Sequence, residues 1–140
     1  MTAAYDNANI FAKILRGELP CEKVYEDAHV LAFMDIMPRA DGHVLVIPKT
    51  PARNILDIDA AHLSQMMPSL QTVARAVKTG MQAEGLTLQQ FTESAGGQVV
   101  FHLHFHILPR WEGVKLRPHT GDMEKPERLK DHAAKIRAAF

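Results

Sequence analysis

The fold class that this 140-residue chain predicts is an antiparallel α+β domain. Five short segments read as strands bounded by Gly, Pro and Asp clusters, and the helical patterns fall between hairpins instead of alternating with single strands. The stretch from Gly96 to Arg110, G-G-Q-V-V-F-H-L-H-F-H-I-L-P-R, adds strict apolar/polar alternation over Phe101 to Ile107, which is the period of a β-strand.

In chain order, Asn9 can cap a short helix from Ile10 to Arg16, stopped by Gly17 and Pro20. Cys21 to Glu26 and His29 to Met34 form a strand pair around a turn at Glu26-Asp27. Asp35 to Gly42 is turn-rich, and a third strand runs from His43 to Ile47 and ends at Pro48. Asp59 can cap a long helix from Ala60 to about Ala83, ended by Gly85. Leu63, Met66, Met67, Leu70, Val73, Val77 and Met81 give it an apolar stripe, and Pro68 predicts a kink or break. Leu86 to Thr92 is a fourth strand, and the loop Glu93 to Gly97 leads into the histidine strand. After Trp111 the chain turns polar, and Glu124 to Ala139 reads as an amphipathic helix starting near Pro126. A single domain over residues 1–140 follows, with 111–140 as a C-terminal extension ending in a helix.

Composition excludes several classes. Sixteen basic residues balance sixteen acidic ones, so no global field recruits nucleic acid or an anionic membrane. Cys21 is the only cysteine, which rules out an internal disulfide. Met1 to Asn9 lacks the basic-plus-apolar layout of a secretion signal, and no apolar run approaches the roughly 20 residues of a membrane helix. A soluble cytoplasmic protein is expected.

The chemistry lies in His102, His104 and His106, at two-residue intervals. On a strand, Phe101, Leu103, Phe105 and Ile107 face a core and the three imidazoles line the other face, about 6.7 Å apart. One such histidine is ordinarily a solvated or hydrogen-bonded residue; three in register behind a Gly-Gly-Gln turn call for a function. A shared metal ion requires tetrahedral convergence, whereas the outer two stand about 13 Å apart on a straight strand. Phosphate chemistry fits better. An imidazole attacks phosphorus to give a covalent phosphoramidate, and its neighbours donate hydrogen bonds to the phosphate oxygens. Gly96 and Gly97 let backbone N–H groups approach the phosphate. The middle residue, His104, is then the nucleophile.

His102-Leu103-His104-Phe105-His106-Ile107-Leu108 resembles the signature of the histidine triad (HIT) superfamily of nucleotide hydrolases and transferases. Ile10 to Ile14, Gly17 to Pro20, Val24 to Asp27, Leu31 to Ile36 and Gly42 to Lys49 are similar to further family segments, in a Hint-like pattern with the Pro109-Arg110 ending common in bacterial members. The resemblance implies a five-stranded antiparallel sheet and a homodimer whose sheets join across the interface. It also implies purine nucleoside phosphoramidates, or related α-phosphate-substituted nucleotides, as substrates, with no cofactor. Under it, His104 matches the nucleophile, His102 and His106 the flanking histidines, and His43 a supporting fourth histidine. Asp35 matches the ribose-binding acid; Ile10, Phe11, Ile14, Phe33, Ile36 and Leu45 match the base pocket; Thr92, Gly97, Gln98 and Val99 match the phosphate loop.

Three departures stand out. Thr92 replaces an Asn or Gln, Val99 replaces a Ser or Thr, and Asn9 and Ala12 replace the Cys-x-x-Cys of zinc-binding members, so no metal is expected. Two other readings compete with a phosphoramidase: a dinucleoside polyphosphate hydrolase, and a nucleotide- or partner-binding module with little turnover.

Overall fold

The computed structural model describes residues 4–118 and 121–140. The parts of the sequence reading that fall on residues 1–3 and on residues 119 and 120 lie outside the described residues. The elements run α1 (Ile10–Leu15), β1 (Lys23–Glu26), β2 (Val30–Met34), β3 (Val44–Pro48), α2 (Ala60–Gly80), β4 (Gly85–Gln89), a 3₁₀ turn (Ser94–Gly96), β5 (Phe105–Arg110) and α3 (Pro126–Arg137). The five strands form one antiparallel sheet in the order β1-β2-β3-β5-β4.

Both caps form as expected: Asn9 Oδ1 accepts from the N–H of Ala12 and Asp59 Oδ1 from that of His62. Pro68 does not break α2. A proline inside a helix costs about 3 kcal/mol. Met66, Leu70, Val73 and Val77 are buried on either side of it, at roughly 1.5–3 kcal/mol each, and outweigh that cost. The helix ends at Gly80, before the expected Ala83, because Gln82 takes a left-handed φ of 52°.

The two faces of the sheet bury different things. Val30, Ala32, Met34, Val44, Val46 and Ile107 pack under α2 and α3, forming the main core with Leu129, Ala133 and Ile136 of α3. Gly80 lets α3 cross close to α2, since a Cβ there would stand 2.6 Å from the carbonyl oxygen of Lys135. On the opposite face Leu31, Phe33, Leu45 and Ile47 pack with Phe11 of α1. Strand period alone produces this split, and β2 and β3 are therefore buried along their whole length.

The histidine strand is corrected by the structure. β5 begins only at Phe105, so His106 alone of the three histidines lies on a strand. Pairing with β3 ends at Val46↔Phe105. Beyond it the Pro48 carbonyl takes a hydrogen bond from the His102 side chain, and the N–H of Leu103 donates to the carbonyl of Ala52. These bonds pull residues 100–104 out of the ladder. The alternation came from burial on two sides of a bent segment, with Leu103 and all three histidines buried and Phe101 half-buried. The fourth strand is likewise shorter than expected and ends at Gln89.

Candidate active site

Sheet register builds the floor of the site. Phe33 pairs with Leu45, Leu45 with His106, and His106 with Gln89, so one cross-strand row carries these side chains on the face opposite α2. His104 completes the group from the bent segment, with its ring edge-on to Phe11 (4.9 Å between centroids) and 4.9 Å from that of His106. Phe91 packs on the other side of His106 at 5.3 Å.

Hydrogen bonds assign a tautomer to every imidazole in the group. His104 Nδ1 donates to the carbonyl oxygen of His102 at 2.7 Å, which leaves the lone pair on Nε2. His102 Nε2 donates to the carbonyl of Pro48 at 2.9 Å, so its Nδ1 is an acceptor, and the Tyr5 hydroxyl donates to it at 2.6 Å. The N–H of Arg39 donates to Nδ1 of His43 at 3.1 Å, which puts the proton of His43 on Nε2. That proton is donated to Nδ1 of His106 at 2.9 Å, and His106 accordingly carries its own proton on Nε2. Burial pushes the His102 imidazole down to about 4, against the Pro48 hydrogen bond, which favours the charged form. Burial also lowers His104, so both rings are neutral at pH 7. The result is a bare nitrogen on His104 beside an N–H on His106.

Asp35 joins this set: its Oδ2 lies 3.5 Å from Nε2 of His43, and its Oδ1 accepts from the N–H of Met37. One ligand atom each of Asp35, His43 and His106 lie within 4.8 Å of one another, a grouping that could chelate a divalent ion. The His43–His106 hydrogen bond places a proton where such an ion would sit.

The remaining expected residues divide. Phe11, Phe33 and Leu45 form the buried apolar cluster beside His104, with Ile14 packed against it. Ile10 and Ile36 are not among the residues packed in this cluster and are about half accessible, at 49% and 48%. Val99 is exposed, and Thr92 donates its hydroxyl to Gln90 Oε1. The loop from 93 to 98 is not the cradle of unused donors that its glycines suggested. The N–H groups of Gly96 and Gln98 donate to the carbonyl of Glu93, and that of Gly97 to the carbonyl of Ser94. The Gln98 side chain is equally committed: Oε1 accepts from the N–H of Glu93 and from Asn54, and Nε2 donates to the carbonyls of Arg53 and Val100.

That commitment belongs to a clamp that sequence reasoning missed. Glu93 adopts φ 62° and ψ 166°, a backbone region nearly restricted to glycine and costing on the order of 1–3 kcal/mol. Arg53 grips its carboxylate with two nitrogens at 2.8 Å, Asn54 adds a third bond, and the Arg53 guanidinium also lies 4.1 Å over the ring of Phe101. Loop 93–101 is thereby fastened to the segment after β3. Tyr5, Arg39 and Phe91 were missed as well, because a tyrosine in a polar leader or an arginine in a turn carries no periodic signal.

Known proteins are similar to this chain in sequence and fold. The HIT domain family model matches residues 16–113. A Hit-like protein of Bartonella henselae, described as involved in cell-cycle regulation, superposes with a TM-score of 0.91 at 52% identity, covering 98% of this chain and 100% of that one. Adenosine 5'-monophosphoramidase HNT1 of Candida albicans is 33% identical over 140 residues, 91% of this chain and 92% of that protein. Adenylylsulfatase HINT3 of Arabidopsis thaliana is 32% identical over 130 residues, 89% of this chain and 66% of that protein.

Proposed function

The chain belongs to the HIT domain family, and from that premise we propose that it is a nucleotide hydrolase acting on purine nucleoside phosphoramidates through a nucleotidyl-histidine intermediate. The observation that carries this reading is the tautomer of His104, whose Nδ1 proton is tied to the His102 carbonyl while Nε2 bears the lone pair. In the first step Nε2 of His104 attacks the α-phosphorus. A P–N bond forms to the imidazole as the P–N bond to the amine leaving group breaks. The amine needs a proton, and the Nε2–H of His106, whose Nδ1 accepts a hydrogen bond from His43, stands beside His104 to give it. Water then attacks the same phosphorus and gives its proton back to the His106 imidazole as the P–N bond to His104 breaks, so the nucleoside monophosphate is released and both histidines return to their starting states.

Phe11, Phe33, Leu45 and Ile14 supply an apolar surface for a purine, and the Asp35 carboxylate can accept from both ribose hydroxyls. A homodimer joined edge to edge belongs to the same reading, supported by β4 at the sheet edge with Leu88 exposed on it. So does a cytoplasmic setting, in keeping with the finding that no helix among the described residues is long and apolar enough to cross a membrane. The test is single turnover: mix protein with a labelled nucleoside phosphoramidate, quench, and look for nucleotide bound to His104. Higher kcat/KM on a dinucleoside polyphosphate would reassign the substrate, and tight binding with no adduct and no turnover would make this a binding module.

A further inference from the structure

Tyr5 lies outside the matched family segment yet reaches into the site. Its hydroxyl donates at 2.6 Å to Nδ1 of His102, a residue 97 positions away, and its ring packs edge-on against the imidazole at 5.6 Å. His102 is fully buried, and its other nitrogen is bonded to the Pro48 carbonyl. Both polar atoms of this ring are therefore spoken for, and neither is available to a substrate phosphate in this arrangement. What His102 offers instead is its main-chain carbonyl, which holds the proton of His104.

We propose that Tyr5 is a positioning residue for the reaction. By holding the His102 ring between a phenol and the Pro48 carbonyl, it fixes the backbone carbonyl that aims His104. The inference rests on His104 being the nucleophile. Residues 4–9 thereby form a strap whose hydroxyl is part of the catalytic framework. Around the pair, His104 and Asp57 face His102, while Asp6, Asn9 and Arg16 face Tyr5.

The test uses the full chain with Tyr5→Phe, which keeps the ring and its packing, and with 3-fluorotyrosine at position 5, which keeps a donor. Nitrogen-15 spectra of the imidazoles report the hold directly, and the rate of adduct formation on His104 reports its consequence. In Y5F the Nδ1 resonance of His102 moves downfield, kcat falls about tenfold, as expected for one lost hydrogen bond, and KM changes less than twofold. The fluorinated protein recovers kcat to within about twofold, on the same argument. An unmoved His102 resonance, a wild-type rate in Y5F, or a loss that fluorotyrosine does not restore each overturns the proposal. Absence of any adduct in the wild-type protein overturns the functional reading instead, while the resonance still reports whether Tyr5 holds His102.

Discussion

Nδ1 of His104 lies 2.7 Å from the carbonyl oxygen of His102, two residues back along its own chain. At that distance a carbonyl accepts only an N–H, so the backbone itself decides which nitrogen of the imidazole is basic. Two residues is also the spacing at which a strand would have sent both side chains out in parallel; here the bend turns the first residue's backbone toward the second residue's ring.

His104→Ala is expected to reduce turnover to less than a few per cent of wild type. The residue lies between Phe11 and His106, and its side-chain hydrogen bond among the described residues is to His102, two positions away, so the fold and nucleotide binding are expected to persist. Steady-state rates, a melting curve and nucleotide titration on one preparation check this; appreciable turnover free of contaminating enzyme would exclude His104 as nucleophile.

Asp35→Asn is expected to weaken ribonucleotides more than their 2′-deoxy counterparts. The amide oxygen can still accept from the N–H of Met37, so the turn survives, while charge-assisted bonds to ribose are lost at roughly 1.5–3 kcal/mol. Titration of both nucleotide series checks it, and equal losses would reduce Asp35 to a turn residue.

Stability is expected to fall as pH drops from about 6.5 toward 4. In that window the unfolded chain protonates His102, whereas the folded ring, held near 4 by burial, does not. Stability rises with pH wherever the unfolded state binds more protons, so the contribution is complete above about 6.5 and lost by about 4. The shift corresponds to about 3 kcal/mol. Urea unfolding at several pH values, for wild type and His102→Asn, isolates it; parallel curves for the two proteins would refute it.

Chelation is expected to leave hydrolysis unchanged or to raise it. Zinc bound by Asp35, His43 and His106 would displace the proton that His43 passes to His106 and would occupy the carboxylate offered to ribose. Activity after exhaustive chelation, paired with metal analysis, decides the matter. Stoichiometric zinc whose removal abolishes activity and whose return restores it would demand a different mechanism.

Much of this site was legible in sequence because its parts obey simple periods. Phe33, Leu45 and His106 fall in one row through strand alternation, and Asn9 and Asp59 cap where their residue types require. The conformation of residues 100–104 was not legible, since a segment buried on both sides mimics a half-exposed strand. The same limit hid Tyr5 and the Arg53–Glu93 clamp, whose partners stand 97 and 40 residues apart and are joined only by the fold. Of the kink or break that Pro68 predicted, the break does not occur, since burial on both sides of it keeps the helix continuous.

The C-terminal extension packs against the loop that follows β2. The N–H of Arg117 donates to the carbonyl of Arg39 and that of Glu124 to the carbonyl of Ile36, while Arg117 and Arg128 both bind the Asp41 carboxylate. Residues 36–42 connect Asp35 to His43, so the tail braces the loop that links these two residues. The segment matched by the family model closes at 113, but the core it folds around includes residues beyond it. A cut at that border would strip Leu129, Ala133 and Ile136 from the main core and remove the bonds that brace the loop between Asp35 and His43. Variation in the tail can therefore reach the setting of Asp35 and His43 without altering His102, His104 or His106.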